Sequence, residues 1–346
     1  MEKEEKEMIT ALLSERFPKT DFSFLYGSRV FQQVGYNEKK LKKSMLDVIF
    51  CPKNVYEWHM ENMKWNSKDY VTWLRLFGPQ LVTKIQQSFR PKVLFNALVK
   101  LPKLTIKYGV IGEDDLVHDL LSWDDMYIAG RMHKPIHQIC RPNGMLRAAM
   151  KRNVFAAAAA SLLLLSGRYS GGKGPHVIEE RKMFESITGI SYVGDVRMSG
   201  FENPRKTQNI VDGGLQWFRR LYQPVFHSMP GIEFDEDKRS WTIQTWDPYF
   251  AAAWFRMLPQ PMQQQVTETY RLKCHQISTS DERAIHEMIE SLMLPRILQE
   301  RLNRTVRWSS IRQMWKAPIT NGFMKSMRYA GRKAWKFLST KRTANI

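Results

Sequence analysis

The stretch Phe22-Ser-Phe-Leu-Tyr-Gly-Ser28, followed by Met45-Leu-Asp-Val-Ile-Phe50, carries most of the architectural information in this 346-residue chain. The first run of apolar and aromatic residues predicts a short β-strand that ends at Gly27-Ser28. The second run predicts a neighbouring strand that ends at Pro52. A helix-start signal lies between them, so we expect a strand–turn–helix–strand unit with Asp47 on the second strand.

The turn at Gly27-Ser28 has the chemistry of a phosphate-binding loop. Glycine lets backbone N–H groups come close to an anion, the serine adds a hydroxyl donor, and a following helix N-terminus adds positive potential. Asp47 on the adjacent strand is placed to hold Mg²⁺ on the same phosphates. This order of elements resembles that of the nucleotidyltransferase superfamily, although a motif this short also occurs by chance.

A second carboxylate usually follows two residues after the first in that superfamily, and here the position holds Ile49. Two explanations stay open: the site is inactive, or the second metal ligand comes from elsewhere in the chain. Asp195, which follows a glycine and precedes Arg197, is the candidate replacement. The alternative for Asp195 is a turn residue that pairs with the nearby arginine.

Composition places the chain among folded, basic proteins. Its 53 Lys and Arg against 34 Asp and Glu give a formal charge of +19, which predicts attraction to nucleic acid, nucleotides or an anionic membrane surface. The three cysteines lie far apart without a Cys/His cluster, so neither disulfides nor a structural zinc site is expected. No apolar run reaches the roughly 20 residues of a membrane span. The most apolar run, 154–165, predicts a buried core helix.

Hydrophobic periodicity predicts the other elements. We expect helices over 2–16 and 55–65, a third strand over 104–111, and mainly helices after residue 114. Soft domain boundaries are expected near residues 135 and 240. Several aromatic and histidine side chains are expected to be ordinary core or polar residues rather than base-stacking or metal-binding groups: Trp58, Trp65, His59, His133 and His137.

The C-terminal segment predicts contact with a membrane. From residue 301 onward there are many Lys and Arg and no Asp or Glu, and apolar and basic residues over 319–338 fall on opposite helical faces. This profile is typical of an in-plane helix on anionic lipid; packing on the protein's own core and nucleic-acid binding are the alternatives. Pro318 is expected to separate this helix from the preceding block. The residues expected at the membrane are Phe323, Met327, Arg328, Arg332, Trp335, Lys336 and Phe337.

Eight collinear stretches extend the resemblance over nearly the whole chain. They are Tyr26-Gly-Ser28, Leu46-Asp-Val-Ile-Phe50, Trp58-His-Met-Glu-Asn62, Lys107-Tyr-Gly-Val-Ile111, Asp119-Leu-Leu-Ser-Trp123, Tyr127-Ile-Ala-Gly-Arg-Met-His-Lys-Pro135, Ile190-Ser-Tyr-Val-Gly-Asp-Val-Arg-Met198 and Ser309-Ser-Ile-Arg-Gln313. In this order they resemble the mitochondrial translocator assembly and maintenance proteins, the peripheral phosphatidate cytidylyltransferases that make CDP-diacylglycerol.

The resemblance implies an α+β fold. A nucleotidyltransferase domain (1–135) would precede a winged-helix-like domain (136–240) and a helical C-terminal region (241–346) with the basic amphipathic tail. CTP and Mg²⁺ are implied to bind between the first two domains. The family's site lacks the second in-strand carboxylate, so Ile49 agrees with it. Arg29, where the family usually has a small residue, and Met314-Trp315, where it is more polar, depart from it.

The implied reaction transfers CMP from CTP to phosphatidic acid and releases pyrophosphate, for cardiolipin and phosphatidylglycerol synthesis. The lipid phosphate is already anionic, so the site must supply positioning and charge neutralisation rather than a strong base. Asp47 and then Asp195 are expected to bind Mg²⁺. The β and γ phosphates are expected to be held by Tyr26, Gly27 and Ser28. The cations expected to clamp the phosphates are Lys107, Arg131, Lys134 and Arg197.

The resemblance also implies a peripheral location on the matrix side of the mitochondrial inner membrane, although the acidic first residues do not have the composition of a transit peptide. No nucleic-acid partner is expected for such an enzyme. Two other classes stay open. One is a nucleotidyltransferase-like module that binds RNA without catalysis, with Ile49 marking the lost chemistry. The other is a non-enzymatic membrane adaptor that binds through the tail.

Overall fold

A computed structural model describes residues 3–31, 44–102, 104–169, 175–199, 203–243, 247–275 and 280–321. Helices and two β-sheets are both present, so the predicted α+β class is confirmed. The predicted helix over 2–16, the helix over 55–65 and the three predicted strands are all found within a residue or two of the expected bounds.

The first sheet has five strands in the order β3-β4-β2-β1-β5. The strands are β1 (Phe22–Tyr26), β2 (Leu46–Cys51), β3 (Val93–Leu101), β4 (Leu104–Ile111) and β5 (His137–Cys140). β2 runs antiparallel to β1 and parallel to β4. Tyr26 is opposite Asp47, and Asp47 is opposite Lys107. Since register partners point to the same side, these three side chains leave one face of the sheet near one end.

Helices cover both faces of this sheet because each strand alternates two sets of apolar side chains. On one face, α1 (Lys3–Arg16) and α2 (Val55–Asn66) pack over residues such as Val48 and Phe50. On the face that carries Ile49 and Phe95 lie α4 (Glu113–Ser122), the short α5 (Ala129–Met132) and α6 (Gly144–Tyr169). α3 (Thr72–Ser88) follows α2 and packs on Leu94 of the edge strand β3.

The second sheet is smaller and follows α6. Its strands, β6 (His176–Glu179), β7 (Ile232–Asp235) and β8 (Ser240–Ile243), pair antiparallel in the order β6-β8-β7. α7 (Glu180–Ile190) and α8 (Lys206–His227) lie between β6 and β7 in the chain. Aromatic packing joins this sheet to α8, with the Phe226 and Trp241 ring centroids 4.9 Å apart.

α6 connects the two sheets. Its run of alanines, 156–160, is almost completely buried and lets neighbouring helices approach closely, so the predicted core helix is confirmed. Within the described residues, α6 is the one helix long and apolar enough to cross a membrane, and 67% of its apolar window is buried inside the protein. The expectation that no segment reaches that length was therefore wrong, because the helix extends well beyond the apolar run at both ends.

Four further helices complete the described chain: α9 (Pro248–Arg256), α10 (Gln260–Cys274), α11 (Asp281–Glu290) and α12 (Leu294–Asn321). α12 returns to the first sheet, where Lys316 Nζ donates to the carbonyls of Gln86, Phe89 and Pro91 at 2.9–3.2 Å. Pro318 lies inside α12, so the predicted separation at that proline was wrong. The predicted membrane residues between Phe323 and Phe337 lie outside the described residues.

The aromatic and histidine predictions were mostly confirmed. Trp58 is buried, whereas Trp65 is 56% exposed, so its predicted core position was wrong. His59 is buried between Tyr70 and Gln86, and His133 is buried beside Asn153, as expected of core histidines. The three cysteines are free thiols.

Candidate functional site

The turn after β1 lies directly against Asp47. Gly27 has a φ of +89°, which favours glycine, and a Cβ at this position would lie 3.1 Å from Asp47 Oδ2, close enough that the carboxylate would have to shift. The backbone N–H groups of Val30 and Phe31 both donate to the Gly27 carbonyl and fold the turn. The helix predicted after this turn falls largely on residues outside the described ranges.

Arg29 has a structural role in this turn. Its Nη1 donates to the Ser44 carbonyl at 2.8 Å, and its Nη2 lies 3.7 Å from the Glu5 carboxylate. The side chain is only 9% exposed. The arginine that departs from the family pattern therefore ties the turn to the chain entering β2 and to α1.

Cations and aromatic rings surround the carboxylate on this face of the sheet. Lys107 Nζ lies 4.3 Å from the centroid of the Phe95 ring. The Arg131 guanidinium lies 4.0 Å from the Tyr127 ring, 5.7 Å from the Tyr26 ring and 5.9 Å from the Phe95 ring. Stacking on rings fixes the direction of a planar guanidinium, so these three rings hold Arg131 in place.

Asp119 positions the segment that carries Tyr127 and Arg131. Its Oδ2 accepts hydrogen bonds from the backbone N–H groups of Ile128 and Ala129 at 2.8 and 2.9 Å, at the start of α5. Burial raises the pKa of this carboxyl to about 6, and these backbone donors act against the rise. The capped turn presents both side chains toward the sheet.

The pKa values of two tyrosines reflect the charges around them. Burial acts to raise the pKa of Tyr127, but the positive charges of Arg131, Arg197 and Lys107 outweigh it and lower the pKa to about 8. Burial and then the Asp47 carboxylate raise the pKa of Tyr26 to about 12. Tyr127 therefore lies among positive charges, whereas Tyr26 lies beside the Asp47 carboxylate.

A second group of cations borders the first. Lys134 Nζ donates to Ser191 Oγ at 2.7 Å and to the Gly130 carbonyl, and it lies 5.0 Å from the Tyr192 ring. Lys206 Nζ lies 4.6 Å from the same ring. Burial lowers the pKa of Lys134 well below its usual range, and the charges of Arg131 and Lys206 add to that shift. An anion bound here would relieve the repulsion.

Asp195 forms a close pair with Arg197. Arg197 Nε lies 2.9 and 3.1 Å from the two carboxylate oxygens, Nη2 lies 2.5 Å from Oδ2, and the Arg197 backbone N–H also donates to Oδ1. Burial acts to raise the pKa of Asp195, but these donors outweigh it and lower the pKa. The geometry matches the alternative of a turn residue that pairs with its arginine.

The residues around Asp47 fit a magnesium–triphosphate. Mg²⁺ is usually held by one or two carboxylates together with substrate phosphates and water, rather than by a cage of protein ligands. Among the described residues no group of three or more His, Cys, Asp or Glu is arranged to hold a metal. A carboxylate oxygen beside a glycine turn, facing several cations, suits a metal that arrives with its nucleotide.

The structure thus brings together most of the predicted site. One end of the sheet carries five of the predicted residues: Tyr26, Gly27, Asp47, Lys107 and Arg131. Ser28, which is partly exposed, follows in the turn. The sequence reasoning missed Tyr127 and Lys206. Tyr127 opens the stretch 127–135 that also contains Arg131, and its nearness to Arg131 in sequence could have revealed it. Lys206 begins a distant helix, and only the fold brings it to Tyr192.

The chain is similar to known proteins along most of its length. A family model described as "Phosphatidate cytidylyltransferase, mitochondrial" matches residues 9–336. Proteins of that name from Danio rerio and Drosophila melanogaster are 34% and 33% identical to this chain, each over 93% of it and over 92% and 96% of their own lengths. The Mus musculus protein is 31% identical over 92% of this chain and 90% of its own. The chain therefore belongs to the family of mitochondrial phosphatidate cytidylyltransferases.

Proposed function

We propose that this protein transfers CMP from CTP to phosphatidic acid and so makes CDP-diacylglycerol and pyrophosphate. Family membership supports the reaction. The observation that carries it is the position of the Asp47 carboxylate, which lies beside the Gly27 turn and in register with Lys107, while Arg131 lies over the ring of its other register partner, Tyr26. This arrangement suits a triphosphate with its metal and a second phosphate that approaches it.

In the reaction, an oxygen of the lipid phosphate attacks the α-phosphorus of CTP. The new P–O bond forms as the bond to pyrophosphate breaks, and no proton needs to be removed from an anionic phosphate. Mg²⁺ held by Asp47 would neutralise charge on the triphosphate when it is bound. The backbone of Gly27, with Tyr26 and Ser28, would hold the β and γ phosphates.

The cations of the candidate site divide between the two substrates. Lys107 and Arg131 lie on the sheet side, near Asp47, and suit the triphosphate and the leaving pyrophosphate. Lys134 and Arg197 lie on the side of the 190–198 segment and suit the incoming lipid phosphate. Bringing two anions together is the main barrier that such a site must lower, and fixed cations do this without reorganisation.

Two roles for Asp195 can be separated experimentally. Its pairing with Arg197 supports a positioning role, whereas a second Mg²⁺ ligand would have to share its oxygens with that arginine. Asp195→Asn should raise the KM for phosphatidate and leave the Mg²⁺ dependence of CTP binding unchanged if Asp195 positions Arg197. A higher Mg²⁺ requirement for CTP binding, measured by calorimetry, would restore the metal-ligand assignment.

The expected domain folds have topological support. The order α6–β6–α7–α8–β7–β8, with β8 between its two partners, supports the proposed winged-helix-like domain. Antiparallel β1 and β2 with parallel β4 around the Gly27 turn are consistent with a nucleotidyltransferase sheet. The limits 1–135, 136–240 and 241–346 remain proposals. β5 at 137–140 pairs with β1, so the first sheet reaches just past the first limit.

The proposed location is the matrix face of the mitochondrial inner membrane, where the protein would be peripheral and bind anionic lipid through its tail. The relatives' shared name supports the organelle. A truncation after Asn321 tests the tail. This cut is preferable to one after Pro318 because Thr320 is buried inside the protein. The truncated protein should no longer float with anionic liposomes; flotation at physiological salt would assign docking to the folded body.

The decisive assay supplies CTP, Mg²⁺ and phosphatidate in mixed micelles and measures both pyrophosphate and CDP-diacylglycerol. Equal amounts of the two products establish the reaction. Absence of both from a folded protein that binds CTP would favour the RNA-binding alternative, which a gel shift with RNA would then have to support.

A further inference from the structure

A groove of about 850 Å³ runs between α12 and the segment 192–198. Side chains from both walls line it: Tyr192, Val196 and Met198 on the segment, and Arg304, Trp308 and Ile311 on the helix. The walls are in close contact at one side, because Gly194 has a φ of +74° and lies against the Asn303 carbonyl with no space for a Cβ. The groove is thus a built feature of the fold.

One end of the groove meets the cations of the candidate site. Tyr192, which lines the groove, has Lys134 and Lys206 over its ring at 5.0 and 4.6 Å. Asp195, on the same wall, holds Arg197, whose charge also acts on Tyr127. A ligand that lies in the groove therefore has one end beside the proposed site of the lipid phosphate.

The walls favour an anion. Both carboxylates that line the groove are engaged by cations, Asp195 by Arg197 and Glu300 by Lys273. Arg304 and Arg307 are exposed on the helix wall. With the acids neutralised, the arginines determine the sign of the potential at the opening.

The walls also favour hydrocarbon. Trp308 is 52% exposed, and Val196, Met198 and Ile311 are each partly exposed to the groove. A nucleotide or an inorganic anion would leave this apolar area in water, whereas an acyl chain would cover it. Arginines beside aromatic and aliphatic side chains match an amphiphile with an anionic head.

We propose that this groove binds the diacylglycerol part of phosphatidate, with the lipid phosphate at the Arg197 end and the acyl chains along Trp308 and Ile311. The proposal rests on the proposed function and assigns the lipid half of its substrate. Arg304 and Arg307 lie at the opening, where they meet the anionic membrane surface from which the lipid enters.

The test compares Trp308→Gln/Ile311→Asn with Trp315→Gln, which changes a more exposed tryptophan of the same helix outside the groove. The groove variant should raise the KM for dioleoyl-phosphatidate in mixed micelles about tenfold, equivalent to about 1.4 kcal/mol. Its KM for CTP, its turnover of a soluble dibutyryl-phosphatidate and its CTP binding should stay within about twofold of wild type, as a change confined to lipid contacts requires. The Trp315→Gln control should match wild type throughout.

Direct binding supplies a readout that does not depend on turnover. Vesicles containing phosphatidate with brominated acyl chains should quench part of the tryptophan emission, and Trp308→Phe should remove a share of the quenching that Trp315→Phe does not. An unchanged KM for dioleoyl-phosphatidate in the groove variant, or equal effects of the Trp308 and Trp315 changes, would overturn the groove assignment. Normal turnover by wild type would at the same time uphold the proposed reaction. If wild type made no CDP-diacylglycerol, the proposed function itself would fail.

Discussion

Lys107 and Tyr108 are neighbours on β4, yet their side chains belong to two very different polar clusters. Lys107 faces Asp47, Phe95 and the cations of the cleft. Tyr108 leaves the opposite face, where its hydroxyl accepts from Asn62 and Asn96 and donates to Asp69. Alternation along a single strand separates them.

The network around Tyr108 is closed. Asn62 donates to the hydroxyls of Tyr70 and Tyr108, and Tyr70 contacts buried His59. Burial lowers the pKa of His59 to about 4, so this ring is neutral at physiological pH. Nearly every group has a partner within the protein, which is how buried polar side chains stabilise a fold.

The cluster around Lys107 has the opposite character. Arg131, Lys134 and Lys206 are held by rings and backbone carbonyls, and their charges raise one another's electrostatic energy. Such an arrangement costs stability in the free protein and is useful once an anion binds. Comparison of the two faces shows that a cluster of polar side chains does not by itself mark a site. Unbalanced charge, held by groups that do not neutralise it, is the better indication.

The largest expected effect is on the charged face. Asp47→Asn should lower the rate of CMP transfer by roughly a hundred- to a thousandfold, because it removes the proposed metal ligand and a charge from the reacting centre. The melting temperature should change little, since Asn preserves the shape of the side chain. Near-normal turnover by the folded variant would remove Asp47 from the site.

A smaller loss is expected from Arg131→Lys, which keeps the charge but loses the planar group stacked on Tyr127. We expect about a tenfold fall in kcat/KM for CTP, because a lysine does not reproduce the fixed fork of a guanidinium. Steady-state kinetics at saturating phosphatidate measure this effect. Unchanged kinetics would mean that Arg131 supports the fold rather than the phosphates.

On the face that carries Tyr108, a substitution should lower stability and leave the rate of the reaction unchanged. Tyr108→Phe removes three buried hydrogen bonds, those from Asn62 and Asn96 and that to Asp69, and should lower the free energy of unfolding by about 1–3 kcal/mol. Urea unfolding followed by circular dichroism measures the loss. The kcat of the folded fraction should remain at the wild-type value, and a large fall would show that the two faces are coupled.

The smallest expected effect is the pH dependence of stability that comes from the ionisation of Tyr127. With a pKa of about 8 in the folded protein and about 10 when unfolded, it should titrate near pH 8 in tyrosinate absorbance. Between these values the unfolded chain binds more protons, so this group makes stability rise with pH, and its contribution is lost as pH falls through 8. Arg131→Gln should move the midpoint upward, and Tyr127→Phe should abolish it.

Tyr108 supplies the contrast for that titration. Burial raises its pKa well above the usual range, so Tyr108→Phe should leave the transition near pH 8 unchanged. A transition that disappeared in Tyr108→Phe instead would assign the ionisation to the wrong face.

Local patterns in the sequence predicted much of the first sheet. β1 and β4 have the expected bounds because aromatic and β-branched residues there are bounded by turn residues. β3 was missed although its 93–101 stretch is just as apolar, and only its pairing with β4 places it at the sheet edge. Trp65 was misplaced because an aromatic residue on a helix is buried only if another element covers it.

The sequence by itself determined the strand–turn–strand unit and the buried helix α6, and it proposed the candidate site residues near Gly27, because each of these depends on neighbours along the chain. Only the tertiary structure decided what those residues meet. It placed Lys206 at Tyr192, paired both oxygens of Asp195 with Arg197, and extended α12 so that Lys316 reaches carbonyls more than 220 residues earlier. Such contacts depend on how whole elements pack, and no short stretch of sequence encodes that packing.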